Sequence, residues 1–218
     1  MREDLEGFTV RRLLILGLTA IAGLVLTPNT SWGISATGLS RERMKLVLSF
    51  QDELNRSFGC EYVVAMSQTE KYATGSSAGI ILVDRDFLLT ADSGSLFFAI
   101  AHEYAHAYLG HDLQLYQASA QSAELGSSPS KLADLMRRFE KEADGIAARK
   151  AKECGVSLDL FVRFLLTQSD PEKGLSPLDR IYSRPKDRVD YIVAVYRSAS
   201  SIGSGPRSAN ILSPQVEP

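Results

Sequence analysis

The sequence predicts an α+β domain, mainly helical with a small β-sheet. Three observations lead there. Apolar residues recur at helical spacing through most of the chain beyond residue 40. Two short apolar runs, 62–66 and 80–83, break that pattern and read as strands. Ala101-His102-Glu103-Tyr104-Ala105-His106 then sets two histidines four residues apart at the end of an apolar helical stretch, and this puts a metal site between two helices of the domain.

The elements follow in order. Arg11 and Arg12 precede an uncharged stretch over 13–26, which Pro28, Asn29 and Thr30 break. A positive flank, an apolar segment and small residues after it describe a secretory signal. Cleavage fits after Gly33, with Ser35-Ala36 as a second site. The apolar run is shorter than the ~20 residues of a membrane-crossing helix, yet a retained membrane anchor and a buried helix of the domain stay open beside the signal reading. Residues 1–36 are therefore assigned to a signal peptide or anchor, which makes the protein exported (periplasmic or extracellular) or membrane-anchored. The domain proper is 37–197. Ser40 caps a helix over 41–58, closed by Gly59. The strand at 62–66 is followed by a Ser/Gly/Thr-rich turn at 71–79 and the strand at 80–83. A helix over 96–109 ends at Gly110. Residues 117–130 read as a polar surface loop or a poorly ordered helix end, long enough to act as a gate between the helices it joins. Ser130 caps a helix over 131–154. A short helix covers 158–166, a Pro/Gly-rich loop 170–185, and a last helix 188–196. Residues 198–218 are expected to be a disordered tail.

Composition narrows the function. Of 218 residues, 44% are hydrophobic and 23% charged, with a formal net charge of −2. A phosphate-binding protein usually carries a basic surplus, so nucleic acid is excluded as the main partner. Cys60 and Cys154 form one disulfide if the chain is exported, or stand as two buried thiols. Two cysteines are too few for a cysteine metal site.

Histidines four apart on a helix lie about 40° apart around its axis and ~6 Å apart along it. The imidazoles of His102 and His106 can converge on one zinc ion, and Glu103 can reach a water bound there. A catalytic zinc takes three protein ligands. His111, Glu140 and Glu142 are the candidates for the third. His111 follows His102 by nine positions, which on a continuous helix is roughly 180° away; a surface or helix-end place suits it better. Glu140 and Glu142 lie about 200° apart on their helix, so one of them should face solvent. Glu140 is favoured because Asp144, four residues on, shares its face and can accept a hydrogen bond from a ligand histidine. The plainer reading of Asp144 is an ion pair with Lys141 or Arg149.

These residues resemble a known group. His102-Glu103-Tyr104-Ala105-His106, followed by Glu140 and Ala143-Asp144, is similar to the gluzincin metallopeptidases of the HtpX-like and CAAX-prenyl-protease-like family. Gly79-Ile80-Ile81-Leu82-Val83 with Leu88-Leu89, Gly110-His111, and Ser183-Arg184-Pro185 with Arg188-Val189 add to the likeness, which spans about 74–193. It implies a zincin-like domain, one zinc ion per chain and hydrolysis of peptide bonds in a polypeptide substrate, in protein quality control. Arg184 stands where the family has histidine. Arg184 and Tyr182 are the candidates to steady the oxyanion, and Arg184 could equally pair with Asp187 or Asp190. The strand at 80–83 is expected to pair with an extended substrate by edge addition. The rival to an enzyme is a zinc-retaining, non-catalytic assembly module of the same fold.

Overall fold

The computed structural model describes residues 24–25, 39–68, 73–76, 78–125, 129–167 and 184–199. In chain order the elements are β1 (Leu24–Val25), α1 (Arg41–Phe58), β2 (Val63–Ser67), β3 (Ala73–Ser76) and β4 (Ile80–Asp84), then α2 (Arg85–Thr90), α3 (Ser93–Leu109), α4 (His111–Leu125), α5 (Pro129–Glu153), α6 (Asp159–Thr167) and α7 (Pro185–Ser198). The expected class, α+β and mostly helical, is what the elements form. Most of the segment 1–36, the loop holding Tyr182 and Ser183, and the tail beyond 199 lie outside the described residues. No described helix is long and apolar enough to cross a membrane.

The sheet is four-stranded in the order β1-β2-β4-β3. β2 and β4 pair in parallel, Val63 opposite Ile80 through Ser67 opposite Asp84. β3 returns antiparallel to β4, Ala73 opposite Val83 and Ser76 opposite Ile80. Leu24 and Val25, from the apolar N-terminal stretch, pair antiparallel with Met66 and Ala65. Two expectations are corrected here. The 71–79 segment contains a strand, because pairing with β4 overrides the weak strand preference of Gly and Ser. And β4 lies inside the sheet with a neighbour on each side, so it offers no free edge to a substrate; β3 ends the sheet on that side.

Local chemistry accounts for the helix boundaries. Ser40 accepts the Arg43 N–H at the start of α1, and Asp92 accepts the Ser95 N–H at the start of α3, caps that stabilise a helix by about 1 kcal/mol each. α3 is apolar on nearly every side, and Leu96, Phe97, Phe98, Ile100, Ala101 and Tyr104 are all but fully buried. A helix of that kind belongs at the centre of a domain, and α3 packs against α1, β3, β4, α5 and α6. Its orientation is tied down by Asn55 of α1. The Asn55 amide donates to the Tyr62 carbonyl at 2.9 Å, and its oxygen accepts the Tyr62 N–H at 2.8 Å and the Tyr104 hydroxyl at 3.1 Å. Tyr104 stands between the two histidines in sequence, so this hub sets the roll of the helix that carries them.

The polar segment at 117–130 is corrected as well. α4 runs on to Leu125 and α5 begins at Pro129, with Ser130 already helical. Ala118, Ala120, Ala123 and the glutamines are good helix formers, and a composition that reads as a loop is compatible with a solvated helix. Among the described residues, 117–125 and 129–130 are helical. α5 presents Ala143, Ala147, Ala148 and Ala151 at zero exposure, and such small side chains let its backbone come close to α3.

The start of α3 depends on a glycine. A Cβ on Gly94 would lie 2.6 Å from the Ser157 carbonyl oxygen, a backbone atom that leads into α6. Gly94→Ala should therefore destabilise the fold by about 1–3 kcal/mol, although alanine is the better helix former. Thermal denaturation checks this, and an unchanged or raised Tm would contradict the close approach.

Candidate metal centre

Three helices supply the polar cluster. α3 brings His102 and His106, α5 brings Glu140 and Asp144, and α7 brings Arg188. Four-residue spacing aligns each pair along its own helix, and the close packing of α3 on α5 sets the pairs face to face. His102 Nε2 lies 3.1 Å from His106 Nε2 and 3.3 Å from Glu140 Oε2; His106 Nε2 lies 3.7 Å from Glu140 Oε1. These atoms converge on one point, and His102, His106 and Glu140 could together hold a metal ion.

A buried carboxylate pair needs positive charge around it. Arg188 provides one: its Nε and Nη2 donate to the two Asp144 oxygens, both at 2.7 Å. This bidentate geometry is the strongest form of the pair. Asp144 Oδ1 also lies 2.9 Å from His102 Nδ1, close in distance though without the alignment of a regular hydrogen bond. Burial opposes ionisation of Asp144, but Arg188 and His102 outweigh it and hold its pKa down to about 2. Glu140 is lowered too: burial works against its charge, and His102, His106 and Arg188 prevail.

The same field separates the two histidines. Burial disfavours a charge on His102, yet Asp144 and Glu140 more than compensate and push its pKa up to about 10. His106, farther from Asp144, is lowered to about 3 by burial and by the charge on His102. Glu140 and Asp144 thus make the point between the histidines a place where a cation is favoured.

The Glu140 side chain is 19% exposed and lies beside the histidines, while that of Glu142 is 49% exposed. Glu103 is partly buried on α3 beside His102. His111 stands at a helix end, the first residue of α4, but it is buried and not at the surface. It is 3% exposed, its ring stacks on Phe139 with centroids 4.0 Å apart, and its Nδ1 lies 3.1 Å from His106 Nδ1. A separation of roughly 180° holds only on a continuous helix. Gly110 takes a left-handed conformation at φ 65°, which L-residues with side chains resist, and this break starts α4 in a new direction that returns His111 to His106.

Arg184 is exposed at the N-cap of α7 and makes no side-chain capping bond. Asp190, one of its candidate partners, pairs with Lys186 at 2.8 Å. The two cysteines are free thiols; burial and the carboxylate of Glu53 push Cys154 up to about 12.

The residue that sequence reasoning missed is Arg188 as the partner of Asp144, since Lys141 and Arg149 are nearer in sequence. One signal was present. Arg188 precedes Val189 and stands four residues before Ile192, both buried, so it borders the inward stripe of α7. No family model, curated protein or solved structure matches this chain.

Arg188→Met would leave Asp144 buried without its main counter-charge. The expected cost is about 3–5 kcal/mol, seen as a Tm lower by roughly 10 °C. A variant that melts with the wild type would show that the pair does not hold α7 to α5.

Proposed function

We propose that the chain is a zinc-dependent endopeptidase of the gluzincin kind, with His102, His106 and Glu140 as the zinc ligands and Glu103 as general base. One observation carries this reading. Two donors bound to the same tetrahedral zinc at ~2.05 Å stand ~3.3 Å apart; here the two histidine Nε2 atoms are 3.1 Å apart, and Glu140 sets Oε2 3.3 Å from the first and Oε1 3.7 Å from the second. The donor set of two imidazoles and a carboxylate is also one that catalytic zinc uses, with a fourth position left for water.

A bound zinc ion would lower the pKa of its water to about 7 and polarise the scissile carbonyl. The chain supplies the rest. Glu103, next to His102 on α3, takes a proton from the attacking water and returns it to the leaving amine nitrogen. Asp144 and Arg188 fix the His102 ring, so that its Nε2 faces Glu140. Arg184, one helical turn before Arg188 and exposed, is assigned to the negative charge that develops on the carbonyl oxygen. An extended polypeptide is taken along β3, the strand that ends the sheet and packs against α3. Recognition through backbone hydrogen bonds suits a substrate range as broad as damaged or misassembled proteins.

A purely structural zinc site would have four protein ligands and no open position; three converging donors with a carboxylate beside them favour the enzyme over an assembly module. The full chain should bind one zinc ion and cleave casein. Glu103→Gln should keep the zinc and lose activity by about 10²–10⁴-fold. Zinc without cleavage by the wild type, or equal cleavage by both forms, would sink the peptidase reading. Glu140→Ala should lose the zinc and Glu142→Ala retain it; the opposite pattern would move the third ligand to Glu142.

A further inference from the structure

His111 is buried, ionisable and unused in the scheme above. It is not a metal ligand, because its nearest ring nitrogen meets the far side of His106: Nδ1 faces Nδ1 at 3.1 Å, while His106 Nε2 faces His102 and Glu140. We propose that His111 is a positioning residue for His106. Its Nδ1 accepts the Nδ1–H of His106 and holds that ring with Nε2 aimed at the metal site.

The hydrogen-bond inventory of imidazole dictates the direction. A neutral ring has one donor and one acceptor nitrogen, and a ring that binds metal through Nε2 carries its proton on Nδ1. His106 therefore donates across the 3.1 Å gap and His111 accepts. The His111 proton then sits on Nε2, which faces Glu142 Oε2 at 3.5 Å. The chain of groups ends on a carboxylate that is half exposed, and the polarity of each step agrees with the next.

Packing holds the accepting ring in place. His111 lies nearly parallel to Phe139, at 11°, and Phe139 directly precedes Glu140 on α5. The helix that offers the third donor thus also clamps the support of the second. The two histidines are served differently: His102 faces the carboxylate of Asp144, and His106 a neutral ring. Groups that orient a metal-bound histidine in this way usually matter by 10–100-fold in metal affinity.

This assignment rests on the reading of His102, His106 and Glu140 as the metal centre, and the experiment separates the two. Zn²⁺ affinity is measured on the full chain by competition with a chromophoric chelator, for the wild type, His111→Phe and His111→Asn. Phenylalanine keeps the stack on Phe139 and the burial but removes the acceptor; asparagine returns an acceptor oxygen near the Nδ1 position. His111→Phe should bind Zn²⁺ about 10–100-fold more weakly, and His111→Asn should recover most of the loss. Equal affinity of wild type and His111→Phe overturns this inference alone, whereas a wild type that binds no Zn²⁺ overturns the metal centre and this inference with it. Should His111→Phe fail to fold, long-range ¹H–¹⁵N correlation on the zinc-loaded wild type decides. A proton on His111 Nε2 and on His106 Nδ1 is the expected pattern; a proton on His111 Nδ1 overturns the proposal.

Discussion

Asp144 is gripped from two sides, by the guanidinium of Arg188 from α7 and by the His102 ring from α3. Its side chain is only 5% exposed, and a carboxylate in that position is tolerable only while both partners stay. The interaction therefore ties three helices that are distant in sequence into one arrangement. Much else depends on it. It fixes the rotation of α5, which turns Glu140 toward the histidines one helical turn away. It turns the His102 ring so that Nε2 faces the same point.

The cluster combines opposing charges in a buried space. Two carboxylates draw protons or metal ions toward the histidines, beside the apolar body of α3 and the alanine face of α5. The outcome is a strong contrast between two rings 3.1 Å apart at their Nε2 atoms: His102 is held protonated far above the usual range, and His106 neutral far below it. Under the proposed function this contrast has a use, since a divalent cation can take the place of the proton between them and meet donors already turned inward.

Much of this could be read from the chain, and the parts that could not share a physical cause. Helix faces are legible because spacing on a helix is a rigid rule. The pairing of His102 with His106, the inward turn of Glu140, the outward turn of Glu142, the Ser40 cap and the burial of the 96–109 helix all follow from it. The misreadings arose where local rules give way to tertiary ones. β3 is a strand because β4 lies beside it, and nothing within Ala73–Ser76 requires that. α4 is a helix whose composition also suits a loop. His111 leaves the face that helical spacing predicts because the left-handed backbone of Gly110 turns the chain. Arg188 was missed as a partner of Asp144 because the ion pair closes over 44 residues, beyond the reach of any periodicity.

The central claim is that one ion is bound by two imidazoles and one carboxylate. Zinc K-edge X-ray absorption on the stoichiometrically loaded full chain addresses the ligands directly. The account predicts a first shell of nitrogen and oxygen alone at about 2.0–2.1 Å, with outer-shell scattering from two imidazole rings. A sulfur shell at about 2.3 Å would place the ion at Cys60 or Cys154 instead, and scattering from three imidazoles would make His111 a ligand; either result would contradict it.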